Sequence, residues 1–215
     1  MLSFGTTRVE LGVQHADNEI YKKTARGHTV EDVVYATQLL KDSSLKVLYH
    51  IMPGLPGVTP KSDIKNFRMM FEDESFRPDM LKFYPCLVMP KTPLYNLYKT
   101  GKFYPYSTEK AAKVIAKMKS FIPKYVRVMR IQRDIPTKVT VDGVGMTNFR
   151  QYVHEIMKKR NIKCNCIRCR EPKNKLLNIN NLKYKTQKYK ASNAKILRMA
   201  DSAEDFYKEK VPLLG

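Results

Sequence analysis

From Arg8 to Gln132 the spacing of apolar residues switches back and forth between a period of two and a period near 3.6, which constrains the fold more than any other property of the chain. Arg8 to Val13 alternates polar and apolar residues and predicts a strand. Thr29 supplies an N-cap with Asp32 three residues on, and Val30, Val33, Val34, Thr37 and Leu40 form the inward stripe of a helix over 30–41. Lys46 to Met52 is a second strand, closed by Pro53-Gly54-Leu55-Pro56-Gly57, which cannot continue a ladder. A helix over 62–73 (Ile64, Phe67, Met70, Phe71), a strand over Asp79 to Val88, a helix over 108–121 (Ala111, Ile115, Met118) and a strand over Val126 to Gln132 follow. Strands separated by helices pair in parallel through crossovers, so the order predicts an α/β fold of parallel β-α units.

Phe149, Tyr152, Val153, Ile156 and Met157 then make one helical face that delivers the chain to Cys164, Cys166 and Cys169. Asn174 to Asn181 is polar and predicts a linker, and Leu182 to Tyr189 and Lys195 to Met199 predict short strands of a β-rich tail. With 215 residues and 43% hydrophobic content the chain can bury one core and a small second unit. Its net charge of +20 favours a polyanionic partner, with residues 151–215 carrying sixteen Lys and Arg against six Asp and Glu; a lysine-rich composition is the plainer explanation. No run of about eighteen apolar residues and no signal peptide occur, so a cytoplasmic protein with no membrane partner is expected. Four cysteines, three of them clustered, suit metal ligation in a reducing compartment better than disulfides.

In parallel β-α folds, chemistry gathers at the strand C-termini and the loops after them. Three such edges are Gly12-Val13-Gln14, His50 with Gly54 and Gly57, and Tyr84-Pro85. The glycines let backbone approach a nucleoside, and Gln14 and Arg26 suit a hydroxyl and a carboxylate. Each also has a plainer role, a turn for Gly54 to Gly57 and a satisfied strand-end histidine for His50. Cys164, Cys166 and Cys169 form C-x-C-x-x-C, suited to three thiolates on one zinc, with His154 a distant fourth donor; reduced thiols without metal, or a redox C-x-x-C, are the alternatives. Arg127, Arg130 and Arg133 could meet phosphates or form internal ion pairs. Lys158, Lys159, Arg160, Lys163, Arg168 and Arg170 surround the cysteines, and Tyr184 and Tyr189 add aromatic faces, a mixture suited to unpaired RNA.

Taken in order, Leu11-Gly12-Val13-Gln14, Arg26-Gly27-His28-Thr29, Tyr49 to Gly57, Met80-Leu81-Lys82-Phe83-Tyr84-Pro85, Arg130 to Pro136 and Asn148-Phe149-Arg150-Gln151 resemble the Elongator catalytic subunit family over residues 2–172. The resemblance implies the C-terminal half of a radical S-adenosylmethionine (SAM) barrel over 1–145, a linker helix and zinc knuckle over 146–173, and a linker with the start of an acetyltransferase-like domain over 174–215. It implies SAM contacts at Gln14 and Arg26, a cofactor-facing edge at His50, Gly54 and Gly57, and a structural zinc on Cys164, Cys166 and Cys169. Family members transfer an acetyl-derived carbon to the wobble uridine of tRNA, using a [4Fe-4S] cluster held by a cysteine triad. Cys86 is the only cysteine before Cys164, and no glycine-rich cradle for coenzyme A follows the knuckle, so the resemblance implies SAM and the cluster only where an N-terminal half completes the barrel; a partner chain carrying that half-barrel or the acetyltransferase domain is one expected source. Two functions are therefore expected, a tRNA-binding segment of such an enzyme or a non-catalytic, zinc-containing RNA-binding module.

Overall fold

The computed structural model describes residues 2–132 and 139–171; Arg133, the linker over 174–181 and the strands predicted over 182–189 and 195–199 lie outside the described residues. A short 3-10 turn, Leu2–Phe4, leads into β1 (Arg8–Gln14), α1 (Asn18–Lys23), α2 (Val30–Asp42) and β2 (Lys46–Ile51). Next come α3 (Pro60–Glu72), β3 (Met80–Phe83), α4 (Pro93–Lys99), α5 (Thr108–Lys119), β4 (Arg127–Ile131), α6 (Phe149–Lys159) and α7 (Ile167–Arg170). The four strands form one sheet in the order β1-β2-β3-β4, every pair parallel. This is the α/β architecture expected for part of a radical SAM barrel.

Local chemistry sets most boundaries. Thr29 accepts from the Asp32 amide while the Asp32 carboxylate accepts from Thr29 N, closing a capping box on α2, and Thr59 with Ser62 repeats it on α3 with Pro60 in the first turn. The third strand is shorter than its apolar run, ending at Phe83 rather than Val88. Tyr84 N makes one more ladder bond, to Ile51 O at 2.8 Å, but Pro85 has no N–H to extend it. Cys86 N turns back to Pro53 O at 2.9 Å, and Val88 forms an antiparallel bridge with Asp142. Three short helices have no counterpart in the periodicity: α1 capped by Asp17, α4 capped by Thr92 with Pro93 at its start, and the four-residue α7 in the cysteine loop.

The two faces of the sheet differ in chemistry, as strand alternation requires. Val47, Tyr49, Ile51, Leu81, Phe83 and Val128 belong to one buried cluster with Phe67 and Met70 of α3, Ala112, Ile115 and Met118 of α5, and Val153 and Met157 of α6. The opposite face carries Glu10, His50 and Lys82, which meet across three strands. Helices therefore cover one face, while the other carries these charged side chains.

Candidate functional site

Four strand ends converge on one cavity of about 400 Å³. Gln14 ends β1, and Met52, Tyr84 and Gln132 are the residues immediately after β2, β3 and β4; all four line it. Arg26, from the loop after α1, Leu55 and Pro56 of the Pro-Gly-Leu-Pro-Gly turn, and Leu94 and Leu97 of α4 complete a mostly apolar wall. Gln14 and Gln132 both adopt left-handed backbone, with φ of 59° and 74°. Such conformations in non-glycine residues are uncommon and gather at binding sites.

The cavity contains unpaired polarity. Arg26 Nη2 donates to Gly12 O at 2.6 Å, and a Cβ on Gly12 would meet that same nitrogen at 2.9 Å, so the missing side chain at position 12 makes room for the guanidinium. Arg26 Nε is buried with no hydrogen-bond partner, as is Gln132 Oε1, while Gln132 Nε2 makes a long contact of 3.5 Å to Val144 O. Unsatisfied buried donors and acceptors are rare, and here they border a cavity.

Of the expected cofactor residues, the structure brings Gln14 and Arg26 onto this wall and leaves His50, Gly54 and Gly57 off it. His50 lies one pleat below Met52. Its Nε2 is 2.7 Å from Glu10 Oε2, and its ring meets Tyr84 edge-on at 5.2 Å. Lys82 Nζ donates to the same Glu10 oxygen at 2.5 Å. Partial burial raises the Glu10 pKa, but the hydrogen bonds from Lys82 and His50 outweigh it and hold the carboxyl below its ordinary range. Gly54 and Gly57, at φ 84° and 87°, shape the turn that presents Leu55 and Pro56.

Gly54 is itself held from behind. Its amide donates to Asp63 Oδ2 at 2.9 Å, and Tyr106 OH donates to the same oxygen at 2.8 Å. Asp63 is 2% exposed, and burial pushes its carboxyl up to about 6 despite those hydrogen bonds. His15 Nε2 lies 3.8 Å from Asp63 Oδ1, and burial lowers the His15 pKa.

The cysteines sit at the other end of the sheet. Ile167 N donates to Val126 O at 2.9 Å, next to the first residue of β4, so β4, about 16 Å long, separates the cluster from Gln132. The three sulfurs lie within 4.8 Å of one another, close to the spacing of about 3.8 Å that three thiolates adopt on a tetrahedral zinc. His154 is not part of this donor group. Hydrogen bonds from Cys164 and Cys169 push the Cys166 thiol well below its usual range, while Cys164, sharing those bonds, is pushed up. Lys119 Nζ, from the end of α5, donates to Cys169 Sγ at 3.5 Å. Arg150 of α6 also faces the sulfurs, though its guanidinium donates to the carbonyls of Val128 and Met129.

The basic residues expected to meet RNA divide. Lys158, Lys159 and Arg168 are exposed beside the cysteine loop, and Arg130 is exposed on β4 with Arg127 half-buried. Arg170 differs, because its Nε and Nη2 donate to Asn165 O and Lys124 O at 2.8 and 2.7 Å, tying the cysteine loop to the segment before β4. Sequence periodicity missed Glu10, Asp63, Lys119 and the cavity role of Gln132. Only Gln132 had a usable signal, its place at a strand's C-terminal edge.

Models of the radical SAM superfamily and of the radical SAM C-terminal domain match residues 1–69 and 78–159. A tRNA uridine(34) acetyltransferase of Methanocaldococcus jannaschii is 56% identical over 171 residues, 80% of this chain and 32% of the relative. The human Elongator complex protein 3 is 42% identical over the same length, 31% of its own chain. The chain thus spans about a third of the length of these curated relatives. A solved Elp3 of Methanocaldococcus infernus with an N-terminal deletion superimposes with a TM-score of 0.77 at 55% identity, covering 79% of this chain and 40% of that one. Among the described residues no helix is long and apolar enough to cross a membrane. With two radical SAM models matched in chain order and relatives at these identities, the chain belongs to the Elongator catalytic subunit family of radical SAM proteins.

Proposed function

We propose that the chain forms the SAM-facing wall and part of the tRNA-binding surface of an Elongator-type enzyme acting on uridine 34 of tRNA. The observation that carries this is the convergence of four strand ends on one cavity that holds two buried, unpartnered polar atoms, Arg26 Nε and Gln132 Oε1. They fit a ligand with both an acceptor and a donor. In that role Arg26 binds a carboxylate, Gln14 a hydroxyl and Gln132 an amino group, while Met52, Leu55 and Leu94 cover apolar surface. Bound beside an iron-sulfur cluster, SAM supplies a deoxyadenosyl radical. This chain's cysteines do not fit the cluster: Cys86 stands alone with its thiol pushed up to about 12 by burial, and the other three sit a strand-length from the cavity.

The closeness of the three sulfurs, and their distance from the cavity, support a structural zinc site with Cys164, Cys166 and Cys169 as ligands. For tRNA, the support is the +20 charge together with the relatives' substrate, and Lys158, Lys159, Arg168, Arg130 and Arg127 are the contacts assigned. Arg170 is assigned to the loop rather than to RNA.

Equilibrium dialysis of the chain with labelled SAM tests the central claim. Saturable binding is expected, weakened about 10- to 100-fold by Arg26→Ala, since a hydrogen bond to a charged group contributes about 1.5–3 kcal/mol. Equal binding by wild type and variant refutes it. Binding of tRNA without binding of SAM favours the non-catalytic, zinc-containing RNA-binding module instead.

A further inference from the structure

Lys119 ends α5 with no exposed surface at all, 0%. A lysine taken fully out of water requires a counter-charge, because desolvating an ammonium costs several kcal/mol. Among the described residues no carboxylate forms an ion pair with it. What Lys119 meets instead is sulfur. Its Nζ donates to Cys169 Sγ at 3.5 Å, fifty residues away in sequence and within the group of three sulfurs. Arg150, the other cation facing those sulfurs, is committed to the Val128 and Met129 carbonyls, so Lys119 is the cation that hydrogen-bonds a sulfur.

Charge balance gives this contact a direction. Three thiolates on a divalent ion leave one negative charge, and one buried ammonium cancels it; three neutral thiols would leave the ammonium uncompensated. We propose that Lys119 is the outer hydrogen-bond donor and counter-charge of a three-thiolate site for a divalent metal, orienting Cys169 toward the ion. This rests on the zinc assignment above. The consequence is mechanical as well as electrostatic. The metal, through Cys169 and Lys119, joins the end of α5 to the cysteine loop, which Ile167 and Arg170 already tie to the start of β4.

The test uses the whole chain, stripped of metal under reducing conditions and titrated with Co²⁺, then with Zn²⁺ against a competing chelator. The cobalt–thiolate charge-transfer band reports ligation without any need for activity. Lys119→Met keeps an unbranched side chain and removes the charge. Outer-shell partners typically contribute 10- to 100-fold to metal affinity, so the variant should bind about that much more weakly, with the band still present at saturation. Its metal-free form should unfold at the same temperature as wild type or higher, since an uncompensated buried cation is gone. A merely structural lysine would instead lower the stability of metal-free and metal-bound protein alike. Failure of wild type to bind Co²⁺ or Zn²⁺ removes the zinc assignment itself. Wild-type binding with unchanged affinity in Lys119→Met overturns the role of Lys119 alone, and so does a metal-free variant that fails to fold.

Discussion

Asp63 is the residue whose replacement should separate charge from hydrogen bonding at the back of the cavity. Its Oδ2 accepts from Gly54 N and Tyr106 OH, and it is 2% exposed. Burial lifts its pKa from 3.8 to about 6. Between those values the folded state holds a proton that the unfolded state has released, so Asp63 makes stability fall as pH rises through that window. At about 1.4 kcal/mol per pH unit, the full fall is about 3 kcal/mol. Asp63→Asn keeps the shape and leaves an amide oxygen to accept from both donors, but has no charge to desolvate. The variant should match wild type near pH 4 and exceed it by up to about 3 kcal/mol near pH 7. His15 has the opposite sign, because burial lowers its pKa and its contribution is lost as pH falls below 6.5, but both proteins retain it. Urea unfolding followed by far-ultraviolet circular dichroism, at intervals from about pH 4 to pH 7, gives the two curves. Parallel curves refute the buried-charge argument. Asp63→Ala provides the complementary measure: it strands both donors, and near pH 4 it should cost about 1–3 kcal/mol for each.

Further expectations concern the turn, the metal and the basic surface. Gly54→Ala would place a Cβ 3.0 Å from Tyr106 Cδ2 at φ 84°, so thermal unfolding should show a loss of at least about 1 kcal/mol. Protein purified without added zinc should carry about one equivalent by metal analysis, and Cys→Ser at 164, 166 and 169 together should abolish it. Lys158→Glu, Lys159→Glu and Arg168→Glu should weaken tRNA binding in titrations at two salt concentrations, each lost phosphate contact removing about one unit from the salt slope. Arg170→Glu should instead lower the melting temperature, by stranding the carbonyls of Asn165 and Lys124.

The legibility of the chain follows the range of the forces involved. Thr29 with Asp32 states the start of α2 within four residues, and the alternation over Lys46 to Ile51 states β2, because caps and strand faces are local in sequence. The short helices α1 and α4 escaped because six or seven residues complete too few turns to build a stripe, although Asp17, Thr92 and Pro93 marked their starts. The β3 boundary was misplaced because apolar residues continue to Val88 while Pro85 ends the ladder, and hydropathy carries no information about a missing N–H.

The sequence alone determined the parallel α/β order, the family motifs, the spacing of the three cysteines and the positions of Gln14 and Arg26. Tertiary structure alone decided which groups share a site. Glu10 meets His50 forty residues away and Lys82 seventy-two away, and Asp63 meets Tyr106 across forty-three. Arg168 and Arg170, two residues apart, part company only because Lys124 O lies within reach of one guanidinium. Lys119 reads in sequence as one more helix-end cation, and becomes a buried partner of Cys169 because α5 docks its C-terminus against the loop that follows α6. Spacing along a chain sets what each element is, whereas the partners of a buried charge are set by packing between elements, where desolvation makes an unpaired group costly and a paired one specific.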